Sequence, residues 1–282
     1  MRPSPAEVGR WRTGADTVGG QWQAADMSTQ TSQPPRAGWL RWDDYLRVLR
    51  LDAARMAEVG RMGLEQPVPS CPGWTVADAL THTAAVYLHK VGCMRQGAEP
   101  LWPPGDFDDS LPLALFDEAT RALLDELESR DPYSVRFTWW RDDQTVGFWY
   151  RRMALETAVH RVYVELAHGV VTPIDEELAV DGIDEVLHIM LAGPCSDGDQ
   201  SGEQADDRVR ISGGGRSWTV SMTSRNVRVT ESDAGAVAVE VAGSPDDLYL
   251  WLWGRRSDES LAGTGDAGVA SAFRRRLAES TQ

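Results

Sequence analysis

Met153-Ala-Leu-Glu156-Thr-Ala-Val-His160-Arg161 reads as one helical segment carrying a carboxylate and an imidazole four residues apart. At about 100° per residue that spacing leaves the two side chains roughly 40° apart on one face, one turn on. So placed, a glutamate and a histidine can grip one divalent metal ion. The remaining ligand has to come from another helix, because metal sites in bundles are built from inward-pointing groups on facing helices. The stretch therefore directs the reading toward a helical bundle. Glu-x-x-x-His also occurs on many helices as a solvated pair, so spacing alone leaves both readings open.

His82 is the leading candidate for the third ligand, since it falls in the middle of a second amphipathic helix. His89 follows seven residues later, about 20° from the same face. His89, His168 and His188 are weaker candidates, near helix ends or outside the metal-bearing segment. His82, Glu156 and His160 would make a His₂Glu set with an open position, the arrangement of a catalytic zinc rather than a structural one.

Composition narrows the function classes. A chain of 282 residues with 42% apolar content can bury one large core or two modest ones. The formal charge of −15 and pI near 4.7 argue against nucleic-acid and anionic-membrane partners, which need a basic surface. Arg274-Arg275-Arg276 reads as a solvated helix end. No apolar run approaches the roughly 20 residues of a membrane span. The N-terminal stretch has no apolar h-region, so no signal peptide is expected. Cys71, Cys93 and Cys195 are too few and too scattered for a disulfide framework. A reducing, cytoplasmic setting fits best. The 12 tryptophans are mostly core, with one or two left to line a pocket.

Taken in order, residues 1–36 are rich in Gly, Ser, Thr, Gln and Pro and read as a disordered extension. Met27 is a second candidate start of translation beside Met1. Apolar spacings of three and four predict a first helix from Trp39 to about Met62. Pro67-Val-Pro-Ser-Cys-Pro72 forbids regular structure, and Thr75 with Asp78 forms a capping box for the second helix, about Val76 to Gln96. A third helix is expected from Leu113 to about Arg130, with a short strand at Val135 to Trp140 after it. The fourth runs from about Phe148 to His168, with Gly169 as its stop, and a fifth from Asp175 to about Leu191. Short alternating runs at Arg208–Ser212, Ser217–Met222, Val227–Thr230 and Ala236–Val241 read as strands. Two helices close the chain, Ser244 to about Trp253 and about Asp266 to Glu279. The expected division is a helical bundle over 37–193, a linker over 194–207 and a small α+β domain over 208–282.

Cys71-Pro-Gly-Trp-Thr-Val-Ala-Asp-Ala-Leu-Thr-His82 resembles the opening of the second helix in the mycothiol-dependent maleylpyruvate isomerase family, within the DinB/YfiT-like four-helix bundles. Arg152-Met-Ala-Leu-Glu156-Thr-Ala-Val-His160-Arg161 and Asp181-Gly-Ile-Asp-Glu185 look like its later signatures. Ser244-Pro-Asp-Asp-Leu-Tyr-Leu-Trp-Leu-Trp-Gly-Arg255 resembles its small C-terminal domain, similar to sterol-carrier-type α+β folds. The resemblance spans about residues 39–280.

It implies that His82, Glu156 and His160 bind a divalent metal, typically zinc. It implies that mycothiol approaches the open position and that Arg255, across the domain boundary, holds a substrate carboxylate. The expected activity is that of a mycothiol-using isomerase or S-transferase acting on a small anionic electrophile. A metal lowers the pKa of a bound thiol from its free value of about 8.5, so the thiolate forms at neutral pH. Addition to a double bond, rotation and elimination would then isomerise the substrate. Two positions depart from the resemblance: Leu155 stands where many relatives have histidine, and Tyr163 where many have aspartate. The alternatives are a metallohydrolase with water in the open position, or a non-catalytic metal- or thiol-binding module.

Overall fold

The computed structural model describes residues 38–107, 110–193, 207–223 and 226–281. The expected N-terminal extension and the expected linker, apart from Asp207, lie outside these residues. The chain divides into two compact units, Met1–Thr172 and Pro173–Gln282.

Among the described residues, four helices build the first unit: α1 (Trp42–Gly60), α2 (Val76–Gln96), α3 (Pro112–Glu128) and α4 (Val146–His168). α1 buries Tyr45, Leu49, Ala53 and Met56 along one stripe, as its spacing predicts. At the start of α2 the Thr75 hydroxyl accepts from the Asp78 N–H, and the Asp78 carboxylate accepts from the Thr75 N–H at 2.8 Å. That reciprocal cap fixes where α2 begins, and so the register that carries His82. α4 differs from the others in being buried at every position from Val146 to Glu165. A helix covered on all sides is a central one. It ends at Gly169, whose φ of 68° is the left-handed stop expected there.

Val135–Trp140 makes only an isolated bridge, Val135 to Thr145, in place of the expected strand. The Gln144 amide donates to the Thr138 carbonyl at 2.9 Å and the Trp140 carbonyl at 2.7 Å. Those carbonyls are thus taken by a side chain, which competes with strand pairing.

The second unit opens with α5 (Glu176–Glu185), which continues as a π-helical turn over Val186–Leu191. Strands β1 (Asp207–Gly213), β2 (Arg216–Met222), β3 (Val227–Glu231), β4 (Val239–Ala242) and β5 (Ala262–Gly265) form one sheet ordered β3-β2-β1-β4-β5. β1 and β4 are parallel and the other pairings antiparallel. Helices α6 (Pro245–Leu252) and α7 (Ala267–Thr281) complete the unit.

The expected boundary at residue 193 differs from this division, which assigns α5 to the second unit. The packing gives the reason. Asp184 of α5 accepts from the Trp218 indole at 3.1 Å and the Arg216 guanidinium at 3.2 Å, both on β2. Gly182 of α5 lets Tyr249 of α6 approach so closely that a Cβ there would lie 2.5 Å from the ring. Gly182→Ala is therefore expected to lower stability by about 1–3 kcal/mol through overpacking, read as a lower midpoint in urea unfolding. β5 escapes sequence reading because Ala-Gly-Thr-Gly is exposed at all four positions and has no apolar alternation.

Candidate metal centre

α2 contributes His82, and α4 contributes Glu156 and His160. One donor atom from each of the three lies within 4.8 Å of the others. The two imidazoles are stacked, with centroids 5.4 Å apart and an interplanar angle of 26°. Nearby, Tyr87 of α2 hydrogen-bonds Thr157 of α4 at 2.5 Å, tying the two helices together within a turn or so of the ligands.

The donors are prepared for a cation. The His160 Nδ1 lies 2.9 Å from the Glu156 main-chain carbonyl, which can only accept. Nδ1 therefore carries the proton, and Nε2 keeps its lone pair for a ligand. Burial, helped by the neighbouring His160, pushes the His82 pKa down to about 4, so its ring is neutral at pH 7. Burial pushes the Glu156 carboxyl up, but His160, Arg152, His82 and Lys90 outweigh it and leave the group below the ordinary carboxylate range. Arg152 also pairs directly with Glu156, fixing the carboxylate as an outer partner does for a metal ligand. A neutral His82, an ionised Glu156 and a His160 whose Nδ1–H is held by a carbonyl, leaving Nε2 to coordinate, are what a divalent metal requires, so the residues present fit a zinc-like ion.

Two tryptophans wall the site, with Trp74 4.9 Å and Trp102 5.9 Å from the His82 ring between centroids. The sequence did not single out these two from the other tryptophans. Tyr163 packs 4.8 Å from the His160 ring, and Leu155 is wholly buried. The main-chain carbonyl of Glu156 already anchors His160 Nδ1, so that anchoring does not depend on an aspartate at position 163.

Of the other histidines, His89 donates from Nε2 to the Pro100 carbonyl at 3.1 Å and accepts at Nδ1 from Lys90, also at 3.1 Å. His168 hydrogen-bonds the Gly63 carbonyl at 3.1 Å. His188 lies in the second unit, 3.7 Å from Asp184. Arg255 follows α6 in the second unit, half-buried, its main-chain N–H donating to the Leu250 carbonyl at 2.7 Å. No helix among the described residues is long and apolar enough to cross a membrane.

A helical unit with a His–Glu–His set converging in its interior, followed by a small α+β unit, defines the class of protein. Comparison makes it particular. The family model described as the mycothiol maleylpyruvate isomerase N-terminal domain matches residues 36–165, and that of the corresponding C-terminal domain matches residues 177–272. The chain belongs to the mycothiol-dependent maleylpyruvate isomerase family, a family of enzymes.

A crystal structure of the mycothiol-dependent maleylpyruvate isomerase shares the fold at a TM-score of 0.55 and 13% identity, covering 81% of this chain and 95% of that one. A histidine-to-alanine variant of that enzyme gives 0.54 and 12% over the same shares. No curated protein matches the sequence.

Proposed function

We propose that the chain is a metal-dependent, mycothiol-using isomerase for a small anionic electrophile, with zinc held by His82, Glu156 and His160. The observation that carries this reading is the convergence of those three donors within 4.8 Å in a member of this family. Bound there, the metal supplies an open Lewis-acid position that stabilises a thiolate at neutral pH, and the thiol supplies a nucleophile that can add to a double bond and leave again.

The chain's own residues then do four things. Glu156 and His160 present donors from one face of a helix that packing holds still. Arg152 holds the Glu156 carboxylate in place. Trp74 and Trp102 shield His82 and restrict water around it. Arg255 offers a planar fork suited to a substrate carboxylate. The buried, reduced Cys93 accords with a reducing, cytoplasmic location.

The test joins metal analysis to calorimetry. Purified protein is expected to carry about one equivalent of divalent metal. The metal-loaded form is expected to bind mycothiol and, with it, to isomerise maleylpyruvate. Protein with under about a tenth of an equivalent and no mycothiol binding after zinc loading would overturn the reading. Metal uptake with hydrolysis of ester or amide panels and no thiol binding would replace it with the metallohydrolase.

A further inference from the structure

The sequence contains 28 basic residues, and Lys90 is the only lysine among them. It stands on α2 two turns beyond His82. The residue keeps a partial opening to solvent, yet burial lowers its pKa, so its ammonium is poorly solvated. A desolvated cation calls for an anion.

The groups around Lys90 do not supply one. Its Nζ donates to His89 Nδ1 at 3.1 Å and lies 5.4 Å from the centre of the Trp149 ring. His89 is neutral, because its Nε2–H is spent on the Pro100 carbonyl and burial holds its pKa near 4. Cys93, 3.7 Å from His89 Nδ1, has its thiol pushed by burial up to about 11 and is uncharged as well. Among the described residues no carboxylate ion-pairs with Lys90. The acidic groups whose field it feels are Cys93, Glu156 and Glu99. Glu156 is already paired with Arg152. A chain of net charge −15 thus keeps a lysine amine with no carboxylate partner among the described residues of the unit that houses its candidate metal ligands.

We propose that Lys90 is an anion-binding residue of this site, holding a carboxylate of the small substrate that the site takes. An ammonium has three donors, and His89 accepts only one of them. The two remaining N–H groups suit a carboxylate oxygen pair. The Trp102 ring, 5.5 Å from His89 and 5.9 Å from His82, bridges the histidines next to the two positions. Its indole N–H is buried without a hydrogen-bond partner and can donate to the same anion. The role differs from that of Arg255, because Lys90 belongs to the same unit as the ligands.

The single lysine makes the experiment clean. Protein grown with ε-13C-lysine carries one labelled side chain, which reports on Lys90 alone. The zinc-loaded protein is titrated with succinate, an unreactive dicarboxylate, and in parallel with neutral succinamide. Succinate is expected to move the Lys90 signal saturably, at the midpoint found by calorimetry, and succinamide to leave it still. Lys90→Met is expected to bind succinate about 10- to 100-fold more weakly with zinc stoichiometry unchanged.

An unmoved signal at saturating succinate overturns the proposal. So does succinate binding in Lys90→Met equal to wild type, or no binding up to about 50 mM. Should Lys90→Met fail to fold, the wild-type titration decides. The proposal rests on the reading of the site as metal-bearing only for its setting. Failure of that reading shows as no zinc uptake, and titration of the metal-free protein with succinate then tests Lys90 by itself, a moved signal supporting the proposal and an unmoved one overturning it.

Discussion

With His160 replaced by alanine, the protein is expected to lose its hold on a divalent ion while keeping its helices. Zinc affinity should fall by more than the roughly 10- to 100-fold that loss of an outer hydrogen-bond partner costs, because here a donor itself is removed. In the native site Nδ1–H is committed to the Glu156 carbonyl at 2.9 Å, which aims Nε2 as the ligand atom. Alanine leaves two donors, His82 and Glu156, on different helices. His89→Ala is the informative contrast. It removes an imidazole close to His82 in helical angle, but one whose two nitrogens are already engaged by Pro100 and Lys90. Its zinc affinity should stay near wild type. Calorimetric zinc titration, with circular dichroism to confirm folding, separates the two. Retained affinity in His160→Ala would sink the assignment of the three ligands, and lost affinity in His89→Ala would point to the wrong histidine.

The largest stability effect is expected about one and a half turns beyond His160 on α4. Glu165 is wholly buried and accepts from Arg161 at 2.5 Å, Arg55 at 3.0 Å, and the Thr172 N–H and hydroxyl at 3.1 and 2.8 Å. Arg161, 1% exposed, also pairs with Asp52 at 3.0 Å. Glu165→Leu would leave the buried Arg161 guanidinium with Asp52 as its remaining carboxylate partner and take the acceptor from Arg55 and Thr172, at a cost of about 3–5 kcal/mol. For a unit of this size that is a fall in melting temperature of about 6–20 °C. The double variant Glu165→Leu with Arg161→Met should recover much of the loss, since it removes the under-compensated guanidinium as well. Thermal melts of both variants check this. A double variant as unstable as the sum of its parts would show that the network acts through shape rather than charge.

How much of this could be read from the sequence depends on what each feature needs. His82, Glu156 and His160 were legible because helical period and the capping box at Thr75 fix which way side chains point along α2 and α4. The convergence of their donors within 4.8 Å follows from that periodicity plus bundle packing. The place of α5 was not legible. Its amphipathic stripe says that it packs, but not against which partner. Only Gly182, small because Tyr249 presses on it, carried a trace of the answer. β5 left no trace at all, since a Gly-rich, fully exposed edge has no period to detect. Lys90 was written plainly as the one lysine of the chain, yet its meaning needed the burial and the neutral neighbours that the fold supplies.

The burial of α4 along Val146–Glu165 has a consequence for how the site comes and goes. A segment with no wet face has no stable existence apart from the elements that cover it. Partial opening would have to strip α1 or α2 from it, exposing apolar surface and paired charges together. Local fraying is therefore confined to the outer helices and the loops. Two of the three candidate donors ride on this enclosed segment. The ligand set should accordingly assemble and dissolve with the whole first unit in one cooperative transition, with no half-formed version left to bind a metal loosely.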